Sequence, residues 1–599
     1  MTYTKIKVKK VTLIRFFTVA VLLIKTIFFL TLLESSKAAA FQFSNISLQF
    51  SVVHLAFITL FFSFGWLFSG RRQLKFYIIF NILYSLMLIM DLWYFRVSRD
   101  FLGLKNLFSP GTFNPFSESL LIPTAIDFIF ILDIPFFIFY ILRKDILCVK
   151  SQVSFLISFS ISLICLILCY NLIDIMGIAR WDKRMFKIGW SPLMTIRVPG
   201  PVGYHSFEAY NTLNKHLYKM SAAEALEIKQ WLSANKEAPA ENEYKALMKG
   251  KNVIFLQLES FENFVINNKA NGKELTPFLN KLIENGLYFN SFYEQNNAGN
   301  SIDCDFMVNT SLFPLGDTIT ALNYGDNVYK ASLPRILKSE GYTTVVSHAE
   351  DKAEFNWTEL HKNGFGTDIL WDLSQYKYEE TVGYGLSDKS FLSQLADKIK
   401  TLPQPFYLNA PTLSNHGPFN IAEKYRVLNL PAEIDRSYLG GYFESADYTD
   451  RQIEMFFNKL KETDILDSTL FVIYGDHAGV HKYYNSDLQK LSFEGDWWKE
   501  YDHKLPLIIY SKGILPKLIE TPGGQTDIMP TIAYLLGIPD YKYKSSVMGT
   551  NLLNTNRSAA VTKDNKIEGT PRNAHEKAHI LSSYNISEKI IKGRYMERK

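Results

Sequence analysis

Residues 11–33, 49–69, 76–95, 120–142 and 153–176 form apolar stretches, each long enough to cross a bilayer core as a helix. They fill the first 177 residues of a 599-residue chain, and no other feature limits the fold so strongly. After about Gly177 the pattern alternates as in a water-exposed protein. Basic residues orient the spans. Lys5, Lys7, Lys9 and Lys10, then Arg71, Arg72 and Lys75, then Arg143, Lys144 and Lys150 fall on one side, against Lys37, Arg96, Arg99 and Lys105 on the other. The richer side is cytoplasmic, so five spans put the C-terminal part outside the cell. The first stretch is too long for a signal-peptide core and is followed by more spans, so it reads as an anchor. Lys25, Asp91, Asp127 and Asp133 are ionisable residues at or near span depth. The segment 91–101, read as an outer loop, mixes aromatics with arginines and suits contact with membrane lipid head groups.

A net charge of +5 is mild for so long a chain, and basic residues that form no nucleic-acid patch argue against nucleic acid as a partner. Of the four cysteines, only Cys304 falls in the outer part, so no disulfide forms within it. The chain divides into a membrane domain at 1–177, a polar helical linker at 178–249 and a third domain at 250–599. In the linker, Ala238-Pro239-Ala240 has the small-residue pattern of a cleavage site that would release the outer domain. Strand patterns at 252–258, 342–347, 405–410, 469–474 and 506–511 alternate with helical ones at 276–286 and 446–462. This predicts an α/β domain with a mostly parallel sheet. Two short apolar pieces, 578–581 and 589–591, read as strands of a small C-terminal sheet.

Two of the predicted strands end in metal-ligand side chains, 252–258 in Glu259 and 469–474, after Gly475, in Asp476-His477. Parallel strands gather chemistry at their carboxyl ends, and two carboxylates with an imidazole suit a hard or borderline divalent cation. Gly299-Asn300-Ser301 opens a helical stretch, which places a serine where anions are favoured. The pattern is that of a metal-assisted serine nucleophile acting on a phosphate or sulfate ester.

The run Asn252 to Phe261 with Thr276-Pro277-Phe278, then Leu413 to Phe419, Tyr474 to His477 and Gly524 to Thr531 resemble, in order, the motifs of lipoteichoic acid synthases. These are phosphoglycerol transferases of the sulfatase and alkaline phosphatase superfamily. The resemblance implies a five-helix transmembrane domain followed by an extracellular sulfatase-like domain, in a multi-pass protein of the cell membrane. It implies one manganese or magnesium ion on Glu259, Ser301, Asp476 and His477, with Ser301 also the nucleophile. It makes His348 and His416 substrate-pocket residues, either one holding a phosphate oxygen or protonating the leaving alkoxide, with Trp357 beside them; His481, four residues after His477, is a pocket residue or a group that supports one. Phosphatidylglycerol would be the donor, and a glycolipid or glycerol-phosphate polymer the acceptor.

Two positions depart from the pattern. Ser301 stands where threonine is usual, and Phe355-Asn356-Trp357-Thr358 stands where the family has Phe-Trp-Asn-Arg. The phosphate-clamping arginine is therefore replaced by Thr358, with Lys352 and His361 the candidates to compensate, and the head group stays open. A formylglycine sulfatase is disfavoured, because Asp303 and Asp305 occupy the positions of its proline and arginine. A phosphoethanolamine transferase is disfavoured by the absence of disulfides, and an inactive sulfatase-like sensor by the presence of all four ligands.

Overall fold

The computed structural model describes residues 2–35, 49–98, 100–104, 106, 123–142, 148–177, 184–187, 189, 191–316, 318–352 and 354–598. Lys37, Arg99, Lys105, Arg143 and Lys144, which carry part of the orientation reading, lie outside these residues. The chain forms two compact units, Met1–Tyr218 and Lys219–Lys599.

In the first unit the described residues hold three helices long and apolar enough to cross a membrane, Thr12–Glu34, Gly70–Arg96 and Gln152–Ile175. The stretch 49–69 gives a shorter apolar helix, Ser51–Leu67, whose last turn tightens to 3-10 geometry. The stretch 120–142 is not one helix. It splits into a 3-10 helix Ala125–Ile131 and an α-helix Asp133–Leu142. The cause is two carboxylates that each favour a helix start: Asp127 accepts the Thr124 N–H at 2.7 Å, and Asp133 opens the second helix. Five uniform spans are thus corrected to three, with a shorter helix and a broken one. Segment 91–101 is also corrected, since the helix Gly70–Ser98 runs through most of it.

The four ionisable residues at span depth each have a partner. Lys25 Nζ lies 2.6 Å from Asp133 and donates to Asn81 at 2.7 Å; both guanidinium ends of Arg96 donate to Asp127 at 2.6 Å; His205 lies 2.8 Å from Asp91. Charges removed from water persist when a partner and further hydrogen bonds meet them.

The second unit is built on an eight-stranded sheet. Its strands are β1 (Asn252–Leu258), β2 (Leu287–Phe289), β3 (Thr343–Ser347), β4 (Ile369–Trp371), β5 (Phe406–Pro411), β6 (Thr469–Gly475), β7 (Leu507–Tyr510) and β8 (Lys517–Ile519). They lie in the order β8-β2-β7-β6-β1-β5-β3-β4, with β7 alone running antiparallel to both its neighbours. β1 and β6 are buried throughout because both faces of the sheet are covered. Val253 and Phe255 face one core with Val472, Tyr474 and Leu507, while Ile254, Leu256 and Leu258 face the other with Phe471, Ile473 and Ala410. The register pairs Leu258 with Gly475, so the residues after them, Glu259 and Asp476, emerge side by side.

The segment 178–249 is shared between the units. Helices Pro192–Arg197 and Gly200–Leu217 belong to the first, and Ala222–Ala234 to the second. Trp231 of the latter stacks on His579 at 4.2 Å and donates to its carbonyl at 3.1 Å, and Asn235 donates to the carbonyls of Val547 and Met548. Pieces 578–581 and 589–591 are not strands. They lie in helices Ala574–Leu581 and Ser583–Lys592, and the small sheet of this region pairs Ala559–Val561 with Ile567–Gly569. Ile586, Ile590 and Ile591 recur at helical spacing and pack with Ile228 and Trp231, a period that runs of two or three apolar residues conceal. Ile590→Ala should cost about 2–4 kcal/mol in denaturant unfolding of the full chain, and Leu581→Ala, 37% exposed, less than about 1 kcal/mol.

Candidate metal centre and nucleophile

Glu259, Asp476 and His477 are buried, and their ligand atoms all lie within 4.8 Å of one another. The turns after β1 and β6 fix them. Ser260, with φ +53°, turns its N–H to Asp476 Oδ1 at 2.7 Å and its hydroxyl to Glu259 Oε1 at 2.8 Å. The His477 N–H donates to the same Asp476 oxygen at 2.7 Å. His477 Nδ1–H donates to the Ala478 carbonyl at 2.8 Å, which leaves Nε2, 3.3 Å from Glu259 Oε1, as the nitrogen that would face a cation. Gly475 is required before this pair, since a Cβ there would meet Phe261 O at 2.1 Å.

Ser301 begins the helix Ser301–Thr310, and its hydroxyl donates to Glu259 Oε2 at 2.9 Å. Gln257 of β1 holds the Ser301 carbonyl at 3.1 Å. The helix start is tightly built. Asp303 accepts the N–H groups of Gly299 and Asn297 at 2.8 and 3.1 Å, and a Cβ on Gly299 would strike its carboxylate at 2.3 Å. Asn300 has φ +47° and ψ −115°, a conformation that costs a non-glycine residue about 1–3 kcal/mol unless its surroundings impose it.

The donor set fits a divalent cation. Two carboxylates, fully removed from water, meet one imidazole and one hydroxyl, and Asp476 Oδ2 has no hydrogen-bond partner. A buried acceptor left alone is costly, and a cation at the convergence of these atoms would satisfy it. Burial and the charge of Glu259 push Asp476 up to about 7. His477 is held up at about 9: burial opposes its charge, but Asp476 and Glu259 overcome that. Glu259 lies well below the carboxylate range, because the His477 hydrogen bond and charge outweigh its burial.

The remaining expected pocket residues do not share one role. His416 is half-buried, donates from Nδ1 to the Gly417 carbonyl at 2.7 Å and lies 4.7 Å from the Tyr384 ring, with Nε2 left for proton transfer. His348 follows β3 and is pushed down to about 4 by burial. Trp357 is 1% exposed and backs His348, with ring centroids 5.4 Å apart, so it supports the pocket and does not line it. Of its two open roles His481 fits the supporting one: its Nδ1 is bonded to Glu262 at 2.7 Å and its Nε2 to the Trp498 carbonyl at 2.8 Å, so no ring nitrogen is left for a substrate. The burial of the helix face that carries it decides between them. His361 is likewise committed, 2.6 Å from Asp305, and the Thr358 hydroxyl donates to the Lys352 carbonyl at 2.8 Å.

Sequence reasoning missed the polar shell around Ser301. Glu294, Gln295 and Asn296 are all buried, and Gln525 bridges Asn296 and the Asp476 carbonyl at 2.5 and 2.6 Å. A run of polar residues after the short strand Phe292–Tyr293 reads as a solvated loop, although Gln525 lies in a motif singled out above.

Both raised values favour the protonated folded state without metal. That stability is full below the ordinary values of 3.8 for Asp476 and 6.5 for His477, and is lost as pH rises through about 7 and about 9. A cation displaces those protons. Manganese should therefore stabilise the full chain more at about pH 9 than at about pH 6, by up to about 2.7 kcal/mol at a hundredfold excess over its Kd, read as a larger thermal shift. Thermal shifts equal at the two pH values would count against the assigned ligands.

Comparison with known proteins bears on the whole chain. The profile of the lipoteichoic acid synthase N-terminal domain matches residues 1–220, and the sulfatase profile matches residues 251–538. Lipoteichoic acid synthase 2 of Bacillus subtilis is 32% identical over 509 residues, which cover 82% of this chain and 76% of the relative. The lipoteichoic acid synthase of Staphylococcus saprophyticus is 30% identical over 576 residues, 93% of this chain and 86% of its own. Among solved structures, a lipoteichoic acid synthase from Listeria monocytogenes superposes with a TM-score of 0.53 at 28% identity, over 62% of this chain and 98% of that one. With both profiles in order and relatives matched over most of their length, the chain belongs to the lipoteichoic acid synthase family.

Proposed function

We propose that this protein is a metal-dependent transferase that moves glycerol-phosphate from phosphatidylglycerol to an acceptor hydroxyl through a phosphoryl-Ser301 intermediate. The observation that carries the reading is the Ser301 hydroxyl 2.9 Å from Glu259, in the same cluster as Asp476 and His477, within a chain of this family. The acceptor is a glycolipid or a growing glycerol-phosphate polymer. The basic residues flanking the apolar stretches support a catalytic unit on the outer face, where a lipid phosphodiester is in reach.

Glu259, Ser301, Asp476 and His477 would hold one manganese or magnesium ion. When bound, it supplies the positive charge that lowers the hydroxyl pKa of Ser301 and offsets the phosphoryl oxygens. Ser301 Oγ, deprotonated at the start of the cycle and released as the same alkoxide at its end, is aligned by Glu259 and by the helix start and attacks phosphorus as the bond to the diacylglycerol oxygen breaks. Protonated His416 passes the Nε2 proton to that leaving oxygen while Nδ1–H stays on the Gly417 carbonyl. The now neutral imidazole takes the proton of the acceptor hydroxyl, which attacks phosphorus and releases Ser301 Oγ. Proton and phosphoryl group are conserved over the cycle.

A phosphoethanolamine donor is the second reading, and Thr358 at the arginine position favours keeping it in the test. Fluorescent phosphatidylglycerol and phosphatidylethanolamine are offered separately, with diacylglycerol release and the mass added to Ser301 as readouts. Release from phosphatidylethanolamine alone overturns the first reading. Ser301→Ala should fold, bind the cation more weakly and lose more than about a thousandfold in kcat, whereas Ser301→Thr should stay active.

A further inference from the structure

Lys482, on the helix Val480–Leu488, has 16% of its side chain exposed and donates to two groups, Glu294 Oε1 and Asn300 Oδ1, each at 2.8 Å. Glu294 is fully buried and also accepts the Tyr501 hydroxyl at 3.1 Å. Asn300, immediately before Ser301, is clamped further: its side-chain N–H donates to Tyr483 OH at 2.9 Å, and Asn296 donates to its carbonyl. Lys482 is therefore one hydrogen bond away from the residue that carries the nucleophile into place. The neighbours of position 358 supply no cation. There the threonine hydroxyl is bonded to Lys352 O, and His361, the other candidate, faces Asp305. Neither brings a cation to the transferring group.

We propose that Lys482 is the cation this chain supplies to the phosphoryl group in place of the arginine absent at 358, held in register with Ser301 by Glu294 and Asn300. An ammonium has three donors, and Glu294 and Asn300 take two, which leaves the third for a phosphoryl oxygen. The buried Glu294 carboxylate fixes the ammonium that a free lysine would swing away, and its own pKa is held at about 2 in spite of burial by Lys482 and Lys563. Unlike a guanidinium, an ammonium is a point charge without a planar fork. Lys482 therefore selects for a phosphoryl group and leaves the remainder of the head group unconstrained. The inference rests on the phosphoryl-transfer reading above and adds the residue that recognises the transferred group.

The test uses the full chain in detergent, loaded with manganese, and inorganic phosphate as the probe, titrated calorimetrically. Lys482→Gln should weaken phosphate binding at least about tenfold and lower kcat/KM about a hundredfold. Manganese affinity should stay within about twofold of wild type, since Lys482 holds none of the four ligand side chains. Glu294 keeps Tyr501 and, at 3.9 Å, Lys563 in this variant. The double variant Lys482→Gln/Glu294→Gln removes the leftover carboxylate, should show the same losses, and decides the matter if the single variant does not fold. Lys482→Arg should restore phosphate binding to within about threefold. A folded, manganese-binding Gln variant that binds phosphate within about twofold of wild type overturns the proposal, as does an Arg variant as weak as Gln. A wild-type protein that binds phosphate but releases no diacylglycerol from phosphatidylglycerol sinks the substrate reading and leaves the role of Lys482 intact.

Discussion

Two carboxylates that cannot both be charged without help sit at the ends of neighbouring strands, and the local architecture is arranged around that conflict. Parallel pairing of β1 with β6 brings Glu259 and Asp476 together, and a sheet covered on both faces denies them water. The protein's own groups relieve part of the repulsion: His477 on Glu259, and two backbone N–H groups on one oxygen of Asp476. The other oxygen is left without a partner. Buried charge of this kind is tolerated when a cation completes it, and the same cation would make a weakly acidic hydroxyl a usable nucleophile. Stability and chemistry are therefore set by one electrostatic condition.

Ser301, the proposed nucleophile, is held with comparable rigidity from the opposite direction. The left-handed Asn300 is an unfavourable choice for a side-chain-bearing residue, yet Lys482, Tyr483 and Asn296 all bind it. Strain that the surroundings impose is stored geometry. It aims Ser301 at Glu259, with Gln257 of β1 fixing the serine's carbonyl to the same strand that carries the carboxylate.

Much of this was legible in the sequence. β1 and β6 announced themselves as apolar runs ending in ligand side chains, and Ser301 as a small-residue turn opening a helix. The legible parts share a trait: both faces of the element are buried, so the chemical pattern has little freedom. Lys482 was hidden because a lysine on a short polar helix normally points to water, and the buried Glu294 that holds it lies 188 residues away in the chain. His481 stayed open for the converse reason, since a histidine four residues after a metal ligand fits a pocket equally well until Glu262 and Trp498 are seen to occupy both nitrogens. In the membrane unit, the carboxylates of Asp127 and Asp133 interrupted a stretch whose hydropathy alone reads as continuous. In the tail, three isoleucines carried a helical period too short to recognise.

The helix Ala222–Ala234 belongs physically to the unit it precedes. Ile228, Trp231 and Leu232 lie in the same apolar cluster as Ile586 and Ile590, while Ala238 and Ala240 just beyond are exposed. A protease acting at Ala238-Pro239-Ala240 would therefore cut a covalent connection and leave a non-covalent one. The catalytic unit would stay docked on its own first helix, nicked and still tethered. Such a chain would travel as a single species in gel filtration and come apart only in denaturant. Shedding of the outer part would need a second event that peels the helix away, at the cost of exposing the Trp231 face to water.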